Sequence, residues 1–210
     1  MKKYRYYLFD FDGTLVDSIR SSEYVFIEAY KSIGITIKQE DVLGYTREPI
    51  PDAYKRLNAP EEMWGKFAEN ILSLVNSQKS VDLVDIYDDT YDTICDLRMD
   101  EATLGIVTSN NARHVNDILR KFGMEKIFFE VIVGNGEAPI PKPDPMPINK
   151  AIEMLHYEGD RKDIVYVGDS LNDIKAAKAA HVEAILLDRD DEYKDSEDYI
   201  RIRSLKELLD

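Results

Sequence analysis

Short apolar runs alternate with helix-like stretches along most of the chain, and one long helical interruption separates the first run from the second. Together these predict an α/β protein: a doubly wound parallel sheet with helices on both faces and an all-helical module inserted into it. The length allows this, since 210 residues at roughly 150 per domain make one domain with a large insertion or two small ones. Hydrophobic residues at 44% against 32% charged form an ordinary globular mixture, which excludes disorder as the main state.

The first run, Tyr4 to Phe9, stops at Asp10 and meets a turn signal at Asp12-Gly13, so it reads as a buried strand ending in a loop. Comparable runs are Thr103 to Val107, Phe129 to Val133, Ile164 to Val167 and Ala184 to Leu187. Between them, helical patterns cover Arg113 to Phe122 before Gly123, Pro147 to Leu155 before a turn at Gly159, and Leu171 to Ala180. In such sheets ligands sit at the carboxyl ends of the strands. From Val16 to Leu83 no convincing strand is found. Ile19 to Ile33, Glu40 to Leu57 with an interruption at Pro49 and Pro51, and Glu61 to Val75 look helical instead. A structureless connection of that length is uncommon, so 16–83 is expected to be a separate helical module, with 1–15 and 84–210 forming the core. The Asp-rich return, Val81 to Tyr87, could serve as a hinge, and the acidic stretch Asp188 to Asp198 reads as a solvated surface loop.

Charge narrows the function. Lys and Arg number 27 against 41 Asp and Glu, a net −14, so phosphate backbones and anionic lipid surfaces are repelled overall. Neither nucleic acid nor a membrane is an expected partner. An acidic protein that binds an anionic small molecule needs a local cation. The single cysteine, Cys95, rules out an intramolecular disulfide framework and a Cys-rich zinc site and suits a reducing compartment; it reads as a small buried residue. The start of the chain lacks the apolar stretch of a signal peptide, and no window approaches a membrane span, so a soluble cytoplasmic protein is expected.

Four expected strand ends carry unusual polar residues. Asp10-Phe11-Asp12-Gly13-Thr14 sends two carboxylates out of a buried strand. Two such charges ~4 Å apart repel by roughly 4 kcal/mol at an effective dielectric near 20, and a divalent hard cation such as Mg²⁺ would compensate. Thr108-Ser109-Asn110-Asn111 opens a helix, where hydroxyl and amide groups can cap it or, with the backbone N–H groups, face an anion. Lys142 is wedged between prolines in Pro-Lys-Pro-Asp-Pro, which stiffens its backbone. Gly168-Asp169-Ser170-Leu171-Asn172-Asp173 adds two more carboxylates at a strand-to-helix junction. One of them could be structural, favoured by the helix dipole; four together point to a bound metal.

These four segments, in this order and β/α context, resemble the signature motifs of the haloacid dehalogenase superfamily of phosphohydrolases, by DFDGT, Thr108, Lys142 and GDSLND. The helical insertion resembles its C1 type of cap, in the phosphoglycolate phosphatase and β-phosphoglucomutase-like group. The resemblance implies a Rossmann-like core, Mg²⁺ dependence and hydrolysis through an aspartyl-phosphate. Asp10 would be the nucleophile and a metal ligand. Asp12 would protonate the leaving alcohol and later take a proton from water, its backbone carbonyl binding Mg²⁺. Thr108 and Ser109, with Asn110 beside them, would hold the phosphoryl oxygens, and Lys142 would neutralise their charge. Asp169 would bind Mg²⁺, and Asp173 would orient Lys142 or a metal-bound water. Members that cleave carbon–halogen bonds lack an acid at the position of Asp12, so its presence argues for phosphoryl transfer.

The module 16–83 would set specificity by closing over the core and excluding water. Its polar segment Gly44 to Pro49 is the expected substrate-facing loop. Arg47 there could grip a second anionic group or pair with Glu48 or Asp52, while Tyr45 and Trp64 could line a cavity or pack in a core. His114, His156 and His181 receive no chemistry, and Gly134-Asn135-Gly136-Glu137 reads as a flexible approach to Lys142. The expected activity is a Mg²⁺-dependent phosphatase acting on a small-molecule phosphate ester such as phosphoglycolate, a sugar phosphate or a nucleotide, as a monomer or homodimer. The alternatives are a phosphosugar mutase and a non-catalytic regulatory member.

Overall fold

The computed structural model describes residues 1–210 except 43, 45–49, 125–127 and 198. The chain divides into two compact units, Met1–Asp17 with Ile86–Asp210, and Ser18–Asp85. The crossings fall at 17/18 and 85/86, where the sequence reading has 15/16 and 83/84. Two short strands absent from that reading lie here: β2 (Val16–Asp17) and β3 (Asp85–Ile86) pair as a two-stranded ribbon.

The larger unit is built on a six-stranded sheet. Its strands are β1 (Tyr6–Phe9), β4 (Thr103–Val107), β5 (Val131–Val133), β6 (Ile164–Gly168), β7 (Glu183–Leu187) and β8 (Ile200–Ile202), in the order β5-β4-β1-β6-β7-β8. Every pairing is parallel, which makes it the expected doubly wound α/β fold. Strands of such a sheet are covered on both faces, which is why they read as continuous apolar runs rather than alternating ones. In chain order the helices are α1 (Ile19–Ser32), α2 (Ile50–Arg56), α3 (Trp64–Val75), α4 (Gln78–Asp82), α5 (Thr90–Met99), α6 (Ala112–Lys121), α7 (Met146–Met154) and α8 (Leu171–Ala179).

Leu8, Val107, Val133, Tyr166 and Leu186 share a buried cluster with Ile148 and Ile152 of α7 and Ile174 and Ala177 of α8. The intervening residues Tyr7, Phe9, Ile106, Val167 and Leu187 are equally buried and, with a side-chain period of two, face the other way. Order reverses at β1: β4 and β5 lie to one side of it, β6 to β8 to the other. Phe9 is level with both Ile106 and Val167, so the residues following β1, β4 and β6 emerge along one edge at the switch point, where ligands bind in such sheets.

Two readings need correction. The stretch after β7 is not simply solvated. Asp188 is buried, and its carboxylate accepts the N–H groups of Glu192 (2.8 Å) and Tyr193 (3.0 Å) and Nη1 of Arg201 (2.9 Å), which ties β8 to the sheet. Nor is 134–137 an open approach: the Gly134 N–H is tied to the Glu137 carboxylate at 2.7 Å.

The smaller unit is helical and carries its own core, drawn from Val25 to Ile71. Phe67 lies 4.6 Å from the Tyr30 ring and 4.8 Å from that of Tyr54. Trp64 stands edge-on to Tyr54 at 4.9 Å, so its aromatic surface is spent on this core. Among the described residues, no helix is long and apolar enough to cross a membrane.

Candidate active site

Asp10 is the first residue beyond β1, its N–H held by the Val167 carbonyl at 2.8 Å. Its carboxylate Oδ1 lies 2.8 Å from Nζ of Lys142, which also reaches Oδ1 of Asp173 at 2.7 Å. The Lys142 side chain is only 6% exposed, and a buried ion pair survives only if its remaining polar capacity is met. Here it is met in full. The Tyr166 hydroxyl (3.0 Å) and the Val107 carbonyl (3.3 Å) complete four acceptors around the three N–H groups of the ammonium. Burial opposes the Lys142 charge, but Asp10 and Asp173 outweigh it and hold the ammonium well above its ordinary range.

Asp169 follows β6 directly. Carboxylate oxygens of Asp10, Asp169 and Asp173 all lie within 4.8 Å of one another, three acids against one ammonium. Burial, with Asp173 and Asp169 adding to it against the pull of Lys142, drives the Asp10 carboxyl upward. Burial, then Asp173, pushes Asp169 to about 7. Burial is the largest cause of both shifts, and the neighbouring carboxylates add to it. The oxygen-only donor set suits a hard divalent cation.

Two glycines allow this crowding. Gly13 has φ +81°, and a β-carbon there would run into the Asp169 carboxylate; one at Gly168 would run into Asp173. Asp173 is fully committed: Oδ1 takes Lys142, and Oδ2 takes the N–H (3.1 Å) and Oγ (2.5 Å) of Ser170 in a capping box that opens α8. Asp10, by comparison, meets Lys142 through Oδ1 alone.

The Asp12 carboxylate stands apart from this acidic cluster and accepts Nδ2 of Asn110, at 3.1 Å to Oδ2 and 3.5 Å to Oδ1. Thr108 is buried after β4, its N–H on the Val133 carbonyl at 2.9 Å. Its Oγ1 accepts the Asn110 N–H at 2.9 Å, leaving the hydroxyl proton free to donate elsewhere. Ser109 is exposed, and Asn111 caps α6 by accepting the Arg113 N–H at 2.8 Å. Arg47 and Tyr45 lie outside the described residues. Sequence reasoning missed Tyr166 and Ser170. A tyrosine inside a buried strand needs a partner for its hydroxyl, and that was the one available signal for Tyr166.

Residues 7–187 match the family model for haloacid dehalogenase-like hydrolases, from β1 through β7. The chain belongs to the haloacid dehalogenase-like hydrolase family. Within that family it is similar to the pyrophosphatase PpaX of Bacillus velezensis, 31% identical over 82% of this chain and 78% of the relative. It is also 29% identical to the PpaX pyrophosphatase of Halalkalibacterium halodurans, over 97% of this chain and 94% of that one. A solved structure from Lactobacillus plantarum, described as a candidate phosphoglycolate phosphatase, superposes with a TM-score of 0.82 at 22% identity, covering 99% of each chain; it shares the fold. This haloacid dehalogenase-like hydrolase is therefore an enzyme with phosphatase and pyrophosphatase relatives.

Proposed function

We propose that the chain is a Mg²⁺-dependent phosphatase of small-molecule phosphate compounds in the cytoplasm, working through an aspartyl-phosphate on Asp10. The observation that carries this reading is the convergence of Asp10, Asp169 and Lys142 at one sheet edge with a surplus of negative charge. Asp10 and Asp169, with the backbone of Asp12, would hold Mg²⁺. When bound, the ion supplies charge neutralisation for the phosphoryl oxygens.

Asp10 attacks phosphorus as the bond to the leaving oxygen breaks, and Asp12 gives that oxygen its proton. Water then attacks the phosphorylated Asp10, losing its proton to Asp12 and releasing phosphate. Lys142 balances the charge on the phosphoryl oxygens, and the free hydroxyl proton of Thr108 and the N–H of Ser109 donate to them. Asp173 holds Lys142 in place. The helical unit 18–85 would act as a cap that sets specificity. The relatives suggest two substrates to try first, inorganic pyrophosphate and phosphoglycolate.

The test is phosphate release from a panel of phosphorylated metabolites with and without Mg²⁺, beside Asp10→Asn. Activity should vanish on chelation and in the variant; activity surviving either contradicts the mechanism. Release without a bisphosphate primer separates a phosphatase from a phosphosugar mutase. Independently of turnover, Mg²⁺ should raise the melting temperature of the wild type and not of Asp169→Asn.

A further inference from the structure

We propose that Asn110 is a positioning residue for Asp12, fixing the carboxyl that handles the leaving-group proton; this deepens the functional reading above and rests on it. Every polar group of Asn110 is used. Its N–H donates to Thr108 Oγ1 (2.9 Å), its carbonyl accepts the Asn135 N–H (2.8 Å), and its Oδ1 accepts the Asn111 N–H (2.7 Å). The last bond decides the orientation of the amide. With Oδ1 facing an N–H, Nδ2 can only be the atom turned to Asp12, at 3.1 Å from one oxygen and 3.5 Å from the other. The backbone behind it is held as closely: a β-carbon on Gly134 would collide with Ala112 N and come within 2.9 Å of the Asn110 carbonyl. The loop after β4 is thus pinned to the turn after β5, and Nδ2 of Asn110 fixes the Asp12 carboxylate.

That arrangement matters only where Asp12 moves a proton. In the first step the P–O bond to the leaving group breaks while the Asp10–phosphorus bond forms, and the proton on Asp12 passes to the departing oxygen. A weakly basic leaving group departs without that proton; an alkoxide does not. Misaiming Asp12 therefore penalises alkyl phosphates selectively, whereas a general loosening of the fold penalises all substrates alike.

The experiment compares kcat/KM, which reports on formation of the phospho-enzyme, for p-nitrophenyl phosphate and for an alkyl phosphate such as glycerol phosphate, in the Mg²⁺-loaded wild type, Asn110→Ala, Asn110→Asp and Asp12→Ala. General acid catalysis is worth about 10²–10⁴-fold, so Asn110→Ala should lose about 10-fold more on the alkyl than on the aryl ester, in the same sense as Asp12→Ala but less. Asn110→Asp keeps the shape and adds a like charge, and should lose at least as much selectivity. Equal losses on both esters in the Asn110 variants, with Asp12→Ala still selective, would overturn the positioning role alone. Equal losses in Asp12→Ala would overturn the acid–base reading of Asp12 beneath it.

Discussion

The ammonium of Lys142 owes its place to a hydroxyl that the sequence reading passed over. Tyr166 donates to the Val107 carbonyl at 2.9 Å and stands 3.0 Å from Nζ, linking the last residue of β4 to the lysine. Tyr166→Phe removes one oxygen and nothing else. Its stability cost should be about 1 kcal/mol. With Lys142 less firmly held, kcat should drop about 10-fold or more, since ångström-scale displacements cost up to about 10²-fold; an unchanged kcat in a folded variant would remove Tyr166 from the site. Gly168→Ala forces a methyl group against Asp173 and should cost about 1–3 kcal/mol by overpacking, measured by denaturant unfolding, together with most activity. Legibility at this scale followed chemistry. Paired acids leaving an apolar strand and a lysine between prolines declare themselves. Tyr166 did not, because an aromatic residue in a buried run also satisfies the packing reading, and Asn110 was read beside the phosphoryl oxygens rather than as the partner of Asp12, since spacing alone does not show which side chains of two distant loops meet.

Among the elements, the segment entering α5 carries a dense polar tie outside the site. Asp89 receives both Nη atoms of Arg189 at 2.9 Å, Ser204 Oγ at 2.7 Å and the Leu205 N–H at 2.8 Å, so it joins α5, the end of β7 and the C-terminal turn. Burial opposes its charge, but Arg189, Ser204 and the Leu205 amide outweigh burial and hold Asp89 below the ordinary carboxylate range. Its folded value being the lower, the stabilisation is fully present above about pH 4 and fades as pH falls through the folded value. Asp89→Ala should cost about 3 kcal/mol near neutral pH by stranding Arg189, and its unfolding free energy should fall less steeply than that of the wild type on acidification; parallel acid profiles would refute the tie. Neither α5 nor β8 was read from sequence. Thr90 to Met99 is mixed in polarity with only a weak apolar stripe, and three residues of β8 follow an acidic stretch that composition alone assigns to solvent.

For the molecule as a whole, each unit owns a hydrophobic cluster, and the chain crosses between the units where β2 and β3 pair. Replacing 18–85 by a short Gly/Ser linker should therefore leave the larger unit folded, with a cooperative thermal transition and the far-UV signature of its sheet; a broad, non-cooperative melt would show that it cannot stand alone. The overall architecture was the most legible feature, since βα alternation and a long helical gap leave few topologies open. One consequence of the strand order concerns synthesis on the ribosome. The apolar β1, at 6–9, is made well before its neighbours β4 and β6, which arrive only at 103–107 and 164–168. At about 5–20 residues per second, that is a wait on the order of ten seconds. The helical stretch can settle meanwhile, while β1, with Asp10 at its end, lacks both sheet neighbours and stays open to chaperones until β4 and then β6 have been made.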